Sequence, residues 1–190
     1  MNNDYPDNYK TINQQIQSII ADEYDWVANL ANISAILFEN LSDINWAGFY
    51  LFKDEQLVLG PFQGKVACIR IELNKGVCGT AASQQQTLVV EDVHQFDGHI
   101  ACDAASNSEI VVPIIIAGKL VGVLDIDSPL LGRFSKVDKL GLESTVKMLS
   151  EHYQDHPMFV ESICGATSRG TASSNHASSN PTVNDSAETK

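Results

Sequence analysis

Glu109-Ile110-Val111-Val112-Pro113-Ile114-Ile115-Ile116-Ala117-Gly118-Lys119-Leu120-Val121-Gly122-Val123-Leu124-Asp125-Ile126-Asp127 is the stretch that decides the fold. Two apolar runs of strand length, residues 110–116 and 120–126, flank Ala117-Gly118-Lys119, a tight-hairpin signal. N-terminal to it, residues 87–90 read as a short buried strand, and residues 92–106 as a long polar loop without a clean period. A short helix is expected over 79–85, rich in Ala and Gln. It is preceded by the turn Asn74-Lys75-Gly76, where Gly76 takes positive φ cheaply. Further back, residues 46–52, 57–62 and 66–71 read as three strands. Gly48 suits close backbone packing, and Lys53-Asp54-Glu55-Gln56 forms a polar turn.

The ends of the chain read as helices. Ile12, Ile16, Ile19 and Ile20 form one apolar stripe. Val27, Leu30, Ile33, Leu37 and Phe38 form another, with a break near residues 22–25. Residues 137–149 have helical spacing at Val137, Leu140, Met148 and Leu149. Helix, three strands, helix, strand, hairpin, helix gives an α+β domain around a mainly antiparallel sheet. Residues 157–190 change character: from 165 onward they are dominated by Ser, Thr, Ala, Asn and Gly, and they read as a disordered tail.

Of 190 residues, 44% are hydrophobic and 19% charged, enough apolar material for one core. The net charge is −12, with only 12 Lys and Arg. That argues against nucleic acid and anionic membranes as partners, and suits a cationic or zwitterionic ligand better. The first ten residues are polar, so no signal peptide is expected, and no apolar run approaches the roughly 18 residues that span a bilayer. The expected compartment is the cytoplasm, where thiols stay reduced. Four cysteines there are core fillers, metal ligands or redox groups, not a disulfide scaffold.

Three features carry candidate chemistry. Cys102 lies in Gly98-His99-Ile100-Ala101-Cys102-Asp103, within the long polar loop, where burial in an apolar core is least expected. Cys78 lies in Gly76-Val77-Cys78-Gly79 at the start of a helix, where the dipole and free N–H groups favour a thiolate. Cys68 alternates with Val66 and Arg70 in an expected strand, the position best explained as core. A metal site drawn from Cys68, Cys78, Cys102, His94 and His99 is conceivable, but nothing in the spacing specifies it. The second feature is acidic. Period two puts Asp125 and Asp127 on one sheet face with Ile126 on the other, and Glu109 stands before the preceding strand. Two such carboxylates repel unless a cation or a shared proton lies between them; otherwise they mark a strand end reaching solvent. Third, Trp46 and Tyr50 share a strand face, either as a pocket wall or as ordinary core.

Asn45-Trp46-Ala47-Gly48-Phe49-Tyr50, Leu59-Gly60-Pro61-Phe62-Gln63-Gly64, Gly76-Val77-Cys78-Gly79 and Val123-Leu124-Asp125-Ile126-Asp127-Ser128 together resemble the free methionine-(R)-sulfoxide reductases. The likeness runs from about residue 12 to 153. It implies a GAF-like catalytic domain over residues 1–156, its central sheet flanked by helices. It implies reduction of free L-methionine-(R)-sulfoxide through a cysteine sulfenic acid and an intramolecular disulfide. By this resemblance Cys102 is the catalytic cysteine, Cys68 the resolving one, and Cys78 a further cysteine that can exchange into the disulfide. Glu109, Asp125 and Asp127 match the acidic substrate-site residues, and Trp46 and Tyr50 the wall at the substrate's methyl end. Cys164 has no counterpart.

The chemistry suits these groups. A sulfoxide oxygen leaves only once protonated, so the site needs a carboxylic acid that keeps its proton near neutrality, and clustering raises a carboxyl pKa. The sequence does not say which carboxylate that is. The cluster can also bind the ammonium of a free amino acid, which a peptide residue lacks. A thioredoxin-like dithiol would restore the thiols, and no metal or organic cofactor is required. The alternatives are a sensory GAF module that binds a small molecule without changing it, and a thiol peroxidase or redox sensor. Oligomeric state is not fixed by the sequence, and a homodimer is kept open.

Overall fold

The computed structural model describes residues 7–98 and 105–156. The chain runs α1 (Asp7–Ile20), α2 (Trp26–Asn40), β1 (Trp46–Lys53), β2 (Gln56–Gly64), β3 (Arg70–Glu72), α3 (Gly76–Gln84), β4 (Leu88–Val90), β5 (Ser108–Ile116), β6 (Lys119–Ser128) and α4 (Lys136–Gln154). One 3₁₀ turn, Val93–Gln95, follows β4. The strands form one antiparallel sheet in the order β3-β2-β1-β6-β5-β4, the α+β arrangement the pattern predicts. No helix of the described residues is long and apolar enough to cross a membrane.

Both short hairpins close on two residues of positive φ. Asp54 (50°) and Glu55 (61°) join β1 to β2, and Ala117 (49°) and Gly118 (74°) join β5 to β6. Such left-handed pairs match the twist of the strands they connect. The break between α1 and α2 is a capped start: Asp25 accepts from the Ala28 N–H at 2.8 Å.

Strand alternation divides the core. Ala47, Phe49, Leu51, Ile110, Val112, Ile114, Leu124 and Ile126 face α1, α2 and α4 in the larger cluster. Trp46, Tyr50, Val111 and Val123 face the other way, under α3, with Val77, Cys78, Ala81 and Ala82. The site lies on this second, thinner side.

Several sequence expectations need correction. The third strand is only Arg70–Glu72. Residues 66–69 lie outside it, so Cys68 is not a strand residue, and Val66 and Ile69 are exposed. Ile19, Val27 and Phe38 are exposed too, as are Val137 and Leu140. On α4 the buried face includes Leu149, as expected, with Leu142, Thr145, Val146 and Tyr153. Gly141 decides that register: a Cβ there would sit 2.3 Å from Cγ of Tyr9, whose ring crosses the helix.

Candidate active site

The floor of the site follows from strand register. Across β5, β6 and β1, one row reads Glu109–Asp127–Trp46 and the next Val111–Asp125–Gly48. Glu109 thus stands directly opposite Asp127, and Asp125 is two residues along on the same face. Like charges so placed repel. Over this floor α3 lowers Cys78, whose S–H donates to Glu109 Oε1 at 3.7 Å. Ligand atoms of Cys78, Glu109 and Asp125 lie within 4.8 Å of one another.

Burial makes the repulsion costly and raises the pKa of the acids. Glu109 and Asp125 are 8% and 5% exposed. Burial first, then the charges of Asp125 and Asp127, push the Glu109 carboxyl well above the carboxylate range, against the smaller opposing effect of the Cys78 hydrogen bond. Burial pushes Asp125 up to about 7, with contacts to Cys78 and Glu109 working the other way. The two carboxyls are close enough to titrate as a pair. Asp125 Oδ1 is buried and has no hydrogen-bond partner among the described residues. An orphaned carboxylate oxygen of this kind costs stability unless a donor reaches it.

Cys78 departs from expectation in one respect. Its helix-terminal position favours a thiolate, but burial, then the charges of Asp125 and Glu109, raise its pKa well above the ordinary thiol value. It stands as a buried, neutral thiol. A metal held by this trio would have to displace protons from groups whose pKa values burial raises.

The wall is aromatic. Trp46 stacks between Tyr50 (centroids 5.9 Å apart) and Phe62 (5.2 Å). Gly48 makes room for it, since a Cβ there would meet Cβ of Phe62 at 2.3 Å and Cη2 of Trp46 at 2.8 Å. Trp46 Nε1 donates to the Lys65 carbonyl at 3.1 Å, and the Tyr50 hydroxyl donates to the Cys68 carbonyl at 3.1 Å. Burial, then the charge of Asp125, raises the Tyr50 pKa, so that hydroxyl stays a neutral donor.

These groups enclose a cavity lined by Trp46, Tyr50, Val66, Ala67, Ile71, Lys75, Gly76, Val77, Cys78, Ser106, Glu109, Asp125 and Asp127. Its free volume is about 40 Å³, on the order of three water positions. Glu109, Asp125, Asp127, Trp46, Tyr50 and Cys78, all named from sequence, meet here. Cys68 is disulfide-bonded, and Cys78, a free thiol, is not its partner. Cys102, His99, Cys164 and residues 157–190 lie outside the described residues. His94 does not line the cavity; it is exposed, with Nε2 3.0 Å from Asn107 Oδ1.

Residues 27–146 match the GAF domain family. The chain is 52% identical over 159 residues to the free methionine-R-sulfoxide reductase of Escherichia coli, an alignment spanning 83% of this chain and 96% of that protein. The chain belongs to the free methionine-R-sulfoxide reductase family. Solved members of that family share its fold. The fRMsr of Staphylococcus aureus in complex with substrate is 54% identical, with a TM-score of 0.74 over 76% of this chain and 95% of that one. The Neisseria meningitidis free methionine-R-sulfoxide reductase in complex with its substrate is 47% identical, with the same TM-score over 77% and 88%.

Among the cavity residues of this reductase-family chain, sequence reasoning missed Lys75 and Ser106. Lys75 is the one cation lining the cavity among the described residues. A lysine beside the turn glycine Gly76 reads as solvated surface, and only the packing of α3 on the sheet turns it to the rim. Ser106 lies buried at the end of the long loop, where its Oγ accepts from Asn45 Nδ2 at 3.0 Å. Nothing in a Ser-Asn-Ser loop end marks it.

Proposed function

We propose that the protein reduces free methionine-R-sulfoxide to methionine by thiol chemistry, with the substrate held over the floor formed by Glu109, Asp125 and Asp127. One observation carries this reading: a proton-holding Glu109 lies beside a buried Asp125 whose Oδ1 lacks a donor, inside a cavity walled by Trp46 and Tyr50. A free amino acid supplies the missing pieces. Its ammonium donates to Asp125 and offsets the charge of Asp127. Its carboxylate faces Lys75 at the rim, and its methyl end lies against the Trp46 ring. The sulfoxide oxygen meets Glu109, a carboxyl that burial and the neighbouring charges push toward its acid form.

The reaction then balances. The Cys102 thiolate attacks the sulfoxide sulfur while Glu109 protonates the oxygen. The oxygen passes to Cys102 as a sulfenic acid, and methionine leaves with two electrons gained. The Cys68 thiol condenses with the sulfenic acid, water departs, and a disulfide remains. That Cys68 is disulfide-bonded supports its role as resolving cysteine. Cys78, buried and neutral, fits the reading as a hydrogen-bond donor to Glu109 in the resting site, and enters exchange only on deprotonation. A thioredoxin-type dithiol restores both thiols, and we assign the protein to the cytoplasm because that is where such dithiols are kept reduced.

Incubation with each epimer of free methionine sulfoxide plus dithiothreitol, with methionine counted, tests the proposal. The R epimer alone should be consumed. Cys102→Ser should release no methionine, and Cys68→Ser, assayed without added thiol, should release one per enzyme before stalling. Binding of the sulfoxide without consumption, or full turnover by Cys102→Ser, would refute it.

A further inference from the structure

Each cycle ends in a disulfide, and a protein that reduces it must bring a thiolate in line with the S–S bond. Its contact surface is therefore whatever surrounds the accessible sulfur. Cys68 lies in Lys65-Val66-Ala67-Cys68-Ile69-Arg70, between β2 and β3. The two most exposed large hydrophobic side chains among the described residues bracket it: Val66 at 88% and Ile69 at 71%. Singly, exposed aliphatics need no explanation. Here three carbonyls hold the backbone in that presentation. Lys65 O accepts from Trp46 Nε1, Cys68 O from the Tyr50 hydroxyl, and Ile69 O from the Leu59 N–H at 2.9 Å. The segment cannot turn its apolar side chains inward without breaking bonds to the cavity wall. Its charge is also unusual. Exposed Lys65 and Arg70 close its two ends with no acid between them, in a chain of net charge −12.

We infer that residues 65–70 are the docking surface for the protein dithiol that recycles the enzyme, a partner apolar around its nucleophilic cysteine and acidic at the rim. The inference rests on the thiol cycle proposed above. The partner's thiolate attacks Sγ of Cys68, forming a mixed disulfide and releasing the other half-cystine as a thiolate. The partner's second thiol then attacks its own sulfur in that mixed disulfide and frees Cys68. The partner is oxidised by two electrons and this protein is reduced by two. Because Trp46 and Tyr50 anchor the same segment, the surface is continuous with the substrate cavity, and Val66 belongs to both. Charge complementarity at its ends raises the encounter rate more than the final affinity.

Ile69 and Arg70 do not line the cavity, so they separate docking from catalysis. Ile69→Asp and Arg70→Glu are each assayed on free methionine-R-sulfoxide, with dithiothreitol as reductant and, separately, with thioredoxin kept reduced by its reductase and NADPH. The expected result is a tenfold or larger drop in kcat/KM for thioredoxin in Ile69→Asp. Arg70→Glu should show a severalfold drop that shrinks at high salt. Turnover with dithiothreitol should be unchanged. Wild-type kcat/KM for thioredoxin in both variants overturns the inference. So does a wild-type enzyme that turns over with dithiothreitol but not with thioredoxin. A wild-type enzyme inactive with dithiothreitol instead overturns the proposed function. If Ile69→Asp loses dithiothreitol turnover, its side chain serves the fold, and Arg70→Glu with its salt dependence decides.

Discussion

Replacing Asp125 by Asn should stabilise the protein at alkaline pH while abolishing its activity. The carboxyl ionises near 3.8 in an ordinary setting and at about 7 in the fold. Between those values the folded state binds a proton that the unfolded chain has released. Stability is therefore full below about pH 4, falls as the pH rises towards 7, and stays low above it. A shift of this size corresponds to about 4 kcal/mol if Asp125 titrates alone, and to less as Glu109 shares the same proton. An amide cannot ionise. It keeps the shape of the protonated acid and can donate to Glu109, so the cost disappears with the charge.

The assay is urea denaturation of oxidised wild type and Asp125→Asn, from pH 4 to pH 8, without substrate. Subtracting one curve from the other cancels titrations common to both. The two proteins should agree near pH 4, and the variant should be more stable by about 2–4 kcal/mol at pH 8. Methionine formation should be lost, because an amide holds an ammonium far more weakly than a carboxylate does. Parallel curves, or a variant that is less stable at pH 8, would refute the claim that this site keeps a strained acid in its floor.

Two further outcomes follow from the wall. Gly48→Ala should lower stability by about 1–3 kcal/mol and raise KM for the sulfoxide, because the added Cβ meets Phe62 at 2.3 Å and must push Trp46 aside; thermal melting and steady-state kinetics check this. Tyr50→Phe keeps the ring and removes the hydroxyl bond to the Cys68 carbonyl, worth about 1 kcal/mol. Rapid-quench kinetics should show the first methionine released at the wild-type rate and the disulfide closing severalfold more slowly.

Much of this was legible in local pattern. The 109–127 hairpin is written in two apolar runs around Ala-Gly-Lys, and period two correctly put Asp125 and Asp127 on one face and Ile126 on the other. Cross-strand register was not legible. That Glu109 stands opposite Asp127, with Gly48 opposite Asp125, depends on three strands meeting in one alignment. Residues 66–71 misled for a related reason. Val-Ala-Cys-Ile looks like a strand, but its Cys68 and Ile69 carbonyls accept from the Tyr50 hydroxyl and the Leu59 N–H, the Lys65 carbonyl just before it accepts from Trp46, and the regular ladder begins only at Arg70. The α4 stripe held at Leu149 and, half-buried, at Met148, and failed at Val137 and Leu140, because Tyr9 packs on Gly141, an unremarkable residue by hydrophobicity.

The division of the sheet into two faces explains how such a site persists. One face is covered by three helices and carries the larger apolar cluster, which supplies the fold's stability. The other face carries three carboxyls, a thiol and an orphaned oxygen under one short helix. Each of these would favour unfolding in an isolated sheet. They are tolerable because strand alternation lets Ala47, Phe49, Ile110 and Ile126 pack the stable side while Trp46, Gly48, Glu109 and Asp125 face the strained one. On the reading proposed above, this strain selects the ligand. On that reading a free ammonium brings Asp125 both donors and a positive charge where a peptide amide brings one uncharged N–H, so the floor favours free over protein-bound methionine sulfoxide.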